Sequence, residues 1–316
     1  MEVYIPTSAQ KYLWLADTIE RGRRMTFDEI NEKWLSNKAL SGGNEILKRT
    51  FHKWIEQVKK TLGVEIECER RGGYHYYIKD AGDLESAGMA RWLLEASSVQ
   101  AALLDNLSLR SRILLEPSPS GEQHLTTLLE AMKQNQSLTI DYQSFWHEHP
   151  YTFDVHPYAL KMFKQRWYLL AYNVSMESLR VYGLDRILQV TPHPRKRFKM
   201  PHDFDAALFF GDYYGVCLGE TGPQLVRLKV SADQSPYVRS LPLHPSQEEV
   251  ETTDEYSIFT LWLSPEFDFV QALLAMGEDV EVLAPERLRE TMAEHARALA
   301  GIYLKPDSFL EKSEDY

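Results

Sequence analysis

Apolar side chains recur at helical spacing in three stretches of the first eighty residues. The first stripe covers residues 10–19, and the second follows Thr26, which stands three residues before Glu29 as in a capping box. A Ser41-Gly42-Gly43-Asn44 turn comes next and is predicted to supply the N-cap of a third helix, whose apolar stripe starts at Ile46. The pattern predicts three helices joined by short turns.

Two short alternating segments follow the third stripe. Residues 64–69 and 74–78 alternate apolar and polar side chains, and Arg70-Arg71-Gly72-Gly73 lies between them. Such alternation around a Gly-Gly turn predicts a β-hairpin with arginines near its tip. Three helices and a basic hairpin are the parts of a winged helix-turn-helix, in which the third helix enters the major groove and the wing contacts the flanking backbone.

The third helix carries basic side chains on the side opposite its apolar stripe. A basic helix face is more often a solvated surface than a binding site. Here, however, the charges stand at the start of the third helix and in the hairpin turn, where a winged helix meets DNA. The residues predicted to bind DNA are Lys48, Arg49, His52, Lys53, Arg70 and Arg71.

Helical stretches connect this region to the rest of the chain. Residues 84–115 and 123–135 have apolar positions at helical spacing, and a turn rich in proline and serine separates them. Helices at this place either form a dimer contact or pack on their own chain, and both interpretations stay open. The expected boundaries are 1–80 for the winged helix, 81–122 for the helical linker, 123–200 for a middle domain and 201–316 for a C-terminal part.

Short alternating segments mark the middle domain. They cover residues 137–142, 151–155, 166–172 and 179–182, a spacing that favours a small β-barrel. Neighbouring side chains of a strand face opposite sides of the sheet. Trp167 and Leu169 are therefore predicted to face the core, which leaves Arg166 and Tyr168 on the other side.

The C-terminal part alternates strands with helices. The pattern predicts strands at 225–230, 256–263 and 280–283, helices at 267–276 and 285–303, and an acidic tail after them. Together with the regions before it, this arrangement predicts an α+β chain of several domains.

Charge and cysteine content change this picture little. The net charge of the 316 residues is −11, but residues 1–80 have a balance of +2 and the remainder a balance of −13, so one end can still present a basic face. The two cysteines exclude a disulfide framework and fit a reducing cytosol. No apolar run reaches the length of a membrane span and no secretory leader is evident, so the expected location is cytoplasmic, with no membrane partner.

The sequence contains none of the catalytic motifs that we searched for, so it does not indicate an enzyme. The chain has no Gly-rich phosphate loop, no Gly-x-Ser-x-Gly and no His-Glu-x-x-His, and neither an enzyme nor a cofactor is predicted. His147, Glu148 and His149, with His156 near them, are residue types that bind metals. No cysteine accompanies them and the first three lie in a turn-like segment, so no metal site is predicted.

Three segments of the middle domain resemble the WYL-domain family. They are Asp154-Val155-His156-Pro157-Tyr158-Ala159-Leu160, Arg166-Trp167-Tyr168-Leu169-Leu170-Ala171-Tyr172, which contains the Trp-Tyr-Leu triplet, and Tyr182-Gly183-Leu184-Asp185-Arg186-Ile187. Their order and spacing are those of the family, and residues 47–78 are similar to its winged helix. The resemblance implies a homodimeric bacterial transcription regulator with an Sm-like WYL barrel over residues 123–200 and a ferredoxin-like C-terminal extension. It further implies a repressor of phage-defence or DNA-damage genes.

The same resemblance implies an effector site for nucleic acid or a nucleotide on the barrel. Two arginines would grip phosphate, with Asp185 holding Arg186 in place, and tyrosine rings would stack on bases. The residues expected to bind the effector are Tyr142, Ser144, His156, Tyr158, Arg166, Tyr168 and Arg186. The family often has an arginine immediately before the Leu-Asp-Arg step, and this chain has Gly183 there.

Two functions follow from the sequence. The first is a ligand-responsive homodimer that binds an inverted repeat in double-stranded operator DNA. The alternative is a nucleic-acid-sensing accessory module that acts on a protein partner and uses the winged helix for protein contact. Salt dependence of DNA binding separates them, because neutralised phosphates release counterions.

Overall fold

The computed structural model describes residues 8–70, 73–79, 92–93, 96, 99–100, 103, 106–114, 121–219 and 221–304. The chain divides into two compact units, Met1–Glu116 and Pro117–Tyr316. The helical stretch predicted over 84–115, within the linker, is described only at scattered positions and in a 3-10 helix at Leu107–Arg112. Arg71 and the predicted tail from residue 305 lie outside the described residues.

Helices followed by a hairpin form the N-terminal part of the first unit. The elements are α1 Ser8–Gly22, α2 Phe27–Ser36, α3 Lys38–Ser41, α4 Lys48–Leu62, β1 Ile66–Glu69 and β2 His75–Ile78. The predicted capping box is confirmed, because the Thr26 hydroxyl accepts from the Glu29 amide and the Glu29 carboxylate accepts from the Thr26 amide. The short helix α3 was not predicted.

The start of the third predicted helix differs from the expectation. The prediction that the turn ending at Asn44 caps this helix is wrong, because α4 begins at Lys48 without a side-chain cap. The intervening residues are held by other partners. The Ile46 amide donates to the Asn31 side-chain oxygen at 2.8 Å, and the Trp34 indole donates to the Asn44 carbonyl at 2.8 Å. Ile46 is thereby part of the core ahead of the helix.

Aromatic rings join α4 to the hairpin. The buried Phe51 ring lies 5.0 Å from Phe27 and 4.8 Å from Tyr76, centroid to centroid, in edge-to-face contacts. The Tyr76 backbone also exchanges hydrogen bonds with Met25, at 3.0 and 2.7 Å. The loop after α1, the hairpin and α4 therefore share one core.

An antiparallel sheet forms the first half of the second unit. Its described elements are a 3-10 helix at Glu122–His124, α5 Leu125–Lys133, β3 Gln136–Tyr142, β4 Tyr151–Phe163, β5 Arg166–Asn173, β6 Ser178–Gly183, a 3-10 helix at Leu184–Arg186 and β7 Ile187–Arg197. The strand order is β6-β5-β4-β3-β7. Leu128 and Ala131 of α5 pack into its core beside Leu169, and Trp167 packs against the same core as predicted.

A second sheet and its helices follow. The elements are α6 Ala206–Gly211, β8 Gln224–Ser231, α7 Ser235–Ser240, β9 Glu248–Thr252, β10 Tyr256–Leu263, α8 Phe267–Ala275, a 3-10 helix at Gly277–Asp279, β11 Val280–Ala284 and α9 Glu286–Tyr303. The order β11-β8-β10-β9 is antiparallel throughout, and the connectivity from β8 to β11 is βαββαβ. No described helix is long and apolar enough to span a membrane.

A polar cluster ties β3, β4 and β7 together and makes stability depend on pH. The Thr139 hydroxyl donates to Asp154 at 2.7 Å, and His193 and Lys196 contact the same carboxylate. The Thr139 hydrogen bond is the main reason why the pKa of Asp154 is lowered from 3.8 to about 2. A carboxylate with a lowered pKa stabilises the fold above its unfolded pKa, and this contribution is lost as the pH falls through the folded pKa.

Asp154→Asn is therefore expected to lower the free energy of unfolding by about 1 kcal/mol at neutral pH, a value reduced for the partial exposure of the cluster. The difference from wild type should shrink between about pH 4 and pH 2, because wild-type Asp154 becomes protonated there. Urea unfolding across this pH range measures the difference in the free energy of unfolding. Asp203→Asn, at an exposed position, is the control. An equal effect of Asp154→Asn at all pH values would show that the ionised Asp154 carboxylate is not the source of the stabilisation.

Candidate functional site

Basic side chains form one exposed face on the first two turns of α4. Lys48, Arg49, His52 and Lys53 are all exposed, and their spacing places them side by side on the helix. The opposite face buries Phe51, Val58 and Leu62. The first turn of α4 contains no acidic residue, so the positive end of the helix dipole adds to the charge of this face.

The partners of these side chains decide which are available to a ligand. Arg49 and Lys53 make no side-chain hydrogen bond or ion pair within the described part of the chain. His52 uses Nδ1 to donate to the Lys48 carbonyl at 2.7 Å, which leaves its Nε2 for another partner. Lys59, further along the helix, is held by Glu65 at 2.5 Å. The start of α4 therefore offers unpaired charge, whereas Lys59 is engaged within the fold.

The hairpin places further basic residues near its turn. Arg70 is exposed directly after β1. Sequence reasoning missed Arg24, which the backbone bridge from the α1–α2 loop to β2 brings beside the hairpin. Arg24 pairs with Glu69 and its guanidinium carbon lies 5.4 Å from the centroid of the Tyr77 ring. The only signal in the sequence was an arginine pair next to a turn.

Two predicted effector residues meet at the end of β6. Arg166 donates to Asp185 at 3.1 Å, so the expectation that Asp185 holds Arg186 is corrected: the carboxylate is bonded to the other arginine. Tyr168 stands opposite Gly183 in the β5–β6 register. Arg166 and Tyr168 share the side of β5 away from the core residue Leu169, as the alternation predicts.

Arg186 lies beside two aromatic rings. Its guanidinium carbon is 5.4 Å from the centroid of Tyr142 and 5.0 Å from that of Phe145, within the range of cation–π contacts. Its Nε is buried and has no hydrogen-bond partner among the described residues. A Cβ atom at Gly183 would lie only 2.7 and 2.9 Å from two nitrogens of this guanidinium. The glycine at the position where the family often has arginine therefore makes the room that Arg186 occupies.

Tyr142 belongs to the core beneath Arg186. Its side chain is 4% exposed, and burial is the main reason why its pKa is raised to about 12. Beside it, the β3–β4 loop exposes 72% of Phe145 and 91% of Trp146, two aromatic residues that the sequence prediction omitted. Ser144 is committed to this loop, because its hydroxyl accepts from the Trp146 amide at 3.2 Å.

The remaining two predicted effector residues stand among other neighbours. His156 stacks on Phe198 with ring centroids 4.7 Å apart, and Tyr158 contacts Phe198 and Phe204 at 5.8 and 5.1 Å. Burial lowers the pKa of His156. The contacts of the described residues link neither side chain to Arg186. His156 and Tyr158 thus pack around Phe198, whereas Tyr142 and Arg186 meet beside Phe145.

The predicted absence of a metal site stays a prediction. Within the residues that the structure describes, no group of three or more His, Cys, Asp and Glu is arranged to hold a metal ion. His147 packs its ring edge-to-face on Tyr151 at 5.3 Å.

Known proteins resemble this chain in both halves of its second unit. Residues 123–192 match the WYL domain and residues 222–300 match the WCX domain. Protein PafC of Mycobacterium tuberculosis, from strains CDC 1551 and H37Rv, is 26% identical over 195 residues, which cover 60% of this chain and 57% of that protein. The chain thus spans a little over half the length of these curated relatives.

Two solved structures are distant neighbours. Proteasome accessory factor B/C (PafBC) of Arthrobacter aurescens has 20% identity and a TM-score of 0.38, covering 98% of this chain and 49% of that one. A CRISPR Cas-related protein has 10% identity and a TM-score of 0.40, covering 94% and 84%. At these TM-scores, no structural feature of either protein is transferred to the present chain. The two domain matches confirm the resemblance seen in the sequence: the chain contains a WYL domain at residues 123–192, followed by a WCX domain at residues 222–300.

Proposed function

We propose that this protein is a transcriptional regulator that binds operator DNA through α4 and the β1–β2 hairpin. The observation that carries the proposal is the exposed basic face at the start of α4, where Arg49 and Lys53 have no ion pair in the described residues. The proposed layout is a winged helix over 1–80, a helical linker over 81–122, an Sm-like WYL barrel over 123–200 and a ferredoxin-like extension over 201–316.

The charge distribution supports a localised interface. Residues 1–80 have a balance of +2 in a chain of net charge −11. The acidic remainder repels the DNA backbone, and the basic face attracts it, so approach is favoured in one orientation. Base contacts from the start of α4 would supply specificity, and Arg70 at the wing would supply a phosphate contact.

The WYL domain is proposed to sense a phosphate-containing effector at Arg186. A guanidinium with an unpartnered Nε beside the exposed ring of Phe145, in a loop that also exposes Trp146, suits a phosphate flanked by a base, as in single-stranded nucleic acid or a nucleotide. Regulation requires that the effector bind the DNA-competent and incompetent states with different affinity. Repression of a phage-defence or DNA-damage locus remains part of this proposal and rests on the family resemblance.

One observation favours a second function. Leu47, immediately before α4, exposes 71% of its side chain next to the basic face. An exposed leucine at this place also suits contact with a protein, in which case the chain would be a nucleic-acid-sensing module that acts on a protein partner.

The test is binding of the full chain to a duplex from upstream of its own gene. A gel-shift titration compares this duplex with a scrambled duplex of the same length and composition. A specific regulator should prefer the upstream sequence by about a thousandfold or more at physiological salt. Equal affinity for both duplexes would overturn the proposal.

The operator is expected to be an inverted repeat bound by a homodimer. Two recognition helices related by a two-fold axis need symmetric half-sites, about 10 base pairs apart or a multiple of that spacing. Light scattering of the protein with and without the footprinted duplex measures the stoichiometry. A monomer that binds the operator with full affinity would contradict this expectation.

A further inference from the structure

A pocket of about 230 Å³ lies in the WCX domain, between the start of α8 and the first half of α9. It shares no residue with the Arg186 site. Its lining combines one carboxylate, one guanidinium and one imidazole, from Glu266, Arg287 and His295, with the apolar side chains of Val270 and Leu288. Polar groups of both signs around an apolar floor are typical of a site for a small molecule.

Glu266 brings an unused acceptor to the pocket. Its Oε1 is buried without a hydrogen-bond partner in the described part of the chain. The carboxylate packs so closely on Gly219 that a Cβ at that position would overlap it. Burial, and next the neighbouring Asp268 carboxylate, raise the pKa of Glu266, whereas the charge of Arg287 and a hydrogen bond from the Thr221 backbone lower it. A buried acceptor without a donor is costly, so a ligand that supplies an N–H would stabilise it.

Arg287 brings the opposite charge. It is exposed on the first turn of α9, and among the described residues it has no ion pair with Glu266 or any other carboxylate. Its charge nevertheless acts on Glu266 and favours the ionised form. Thr291 and His295 follow at intervals of four residues, so the three side chains share one face of the helix. The pocket thus holds an acceptor and a cationic donor that do not satisfy each other.

The size and the apolar surfaces limit the ligand further. Val270 and Leu288 are buried, whereas Phe267 at the pocket is 65% exposed. The volume is below the 300–1,000 Å³ that is usual for drug-sized ligands. A nucleotide would also place several negative charges next to the Glu266 carboxylate, and the repulsion between them disfavours a nucleotide as the ligand.

We infer that this pocket binds a free α-amino acid with an apolar side chain. The ammonium group would donate to Glu266, the carboxylate would accept from Arg287, and the side chain would lie against Val270 and Phe267. A zwitterion matches the Glu266 carboxylate and the Arg287 guanidinium at once, whereas a simple amine or a simple acid would match only one of them. The site would give the protein a second, metabolic input besides the WYL domain.

Calorimetry of the full chain with the common L-amino acids at millimolar concentration tests this inference. We expect at least one apolar amino acid to bind, and its methyl ester and its N-acetyl derivative to bind about tenfold more weakly or worse, because each lacks one charge. Absence of binding by every amino acid would overturn the inference and would leave the DNA-binding proposal unaffected.

Two variants test the assigned groups. Arg287→Met and Glu266→Gln should each weaken binding of that amino acid by about tenfold or more. Arg297→Met, an equivalent change at an exposed position further along α9, should leave it unchanged. Arg287 is exposed, so its variant keeps the test valid even where Glu266→Gln disturbs folding. Wild-type affinity in Arg287→Met would overturn the inference.

Discussion

Replacing Arg49 and Lys53 together by alanine is expected to lower the affinity for the upstream operator by about a hundredfold or more. Each side chain is exposed on α4 without an internal ion pair in the described residues, so its charge is available to DNA. A lost base contact costs about 1–3 kcal/mol, and a lost phosphate contact weakens binding to all sequences. Fluorescence anisotropy with the operator duplex at fixed salt measures the change.

The matched control is Lys60→Ala, which removes an exposed lysine from the far end of the same helix. It should bind the operator nearly as well as wild type, because it stands away from the first two turns. Alanine is a good helix former, so neither change should unfold α4. Operator affinity that is the same in the double variant and in Lys60→Ala would show that the start of α4 does not read DNA.

Replacing Arg186 by alanine is expected to abolish the response to the effector while operator binding stays nearly intact. The Arg186 guanidinium contacts the Tyr142 and Phe145 rings and lies beside Gly183. Hydrogen bonds to a charged group contribute about 1.5–3 kcal/mol each, so loss of two of them should weaken effector binding by about a hundredfold or more. Titration with short single-stranded oligonucleotides and cyclic nucleotides, followed by calorimetry and operator release, measures both effects.

Gly183→Ala tests whether the position of the Arg186 guanidinium matters in addition to its charge. It keeps Arg186, but its Cβ would lie 2.6 Å from Oδ1 of Asp185 and within 2.9 Å of two guanidinium nitrogens, so that both side chains must shift. We expect a weakened response in this variant and a normal one in Arg195→Ala, which removes an exposed arginine from β7. Failure of the wild type to bind any of these probes, or a normal response in both Gly183→Ala and Arg186→Ala, would reject the sensor assignment.

The elements that the sequence predicts are those with one buried face. β8 alternates because Val226, Leu228 and Val230 fill the core while their neighbours do not. β9 was missed because each of its residues is exposed at the edge of the sheet, so no alternation appears. The start of α4 was misplaced because Asn31, distant in sequence, holds the backbone at Ile46. Tertiary contacts of this kind have no local signature.

The candidate site follows the same rule. Alternation correctly places Arg166 and Tyr168 on the side of β5 away from the core. The stacking of His156 on Phe198 was not predictable, because it depends on how the chain after β7 returns to β4. The room that Gly183 leaves for Arg186 likewise becomes evident only when the 3-10 helix at Leu184–Arg186 turns the guanidinium back over the strand end.

The salt dependence of operator binding tests the DNA-binding claim most directly. For wild type, the logarithm of the association constant should fall steeply with the logarithm of salt concentration, because each neutralised phosphate contributes about 0.9 to the slope. The Arg49→Ala, Lys53→Ala double variant should have a slope shallower by up to about 2, as expected if both side chains contact phosphate, and Lys60→Ala should keep the wild-type slope. A wild-type affinity that does not change with salt, or a double variant with the wild-type slope and affinity, would contradict the account and favour a protein partner for the first unit.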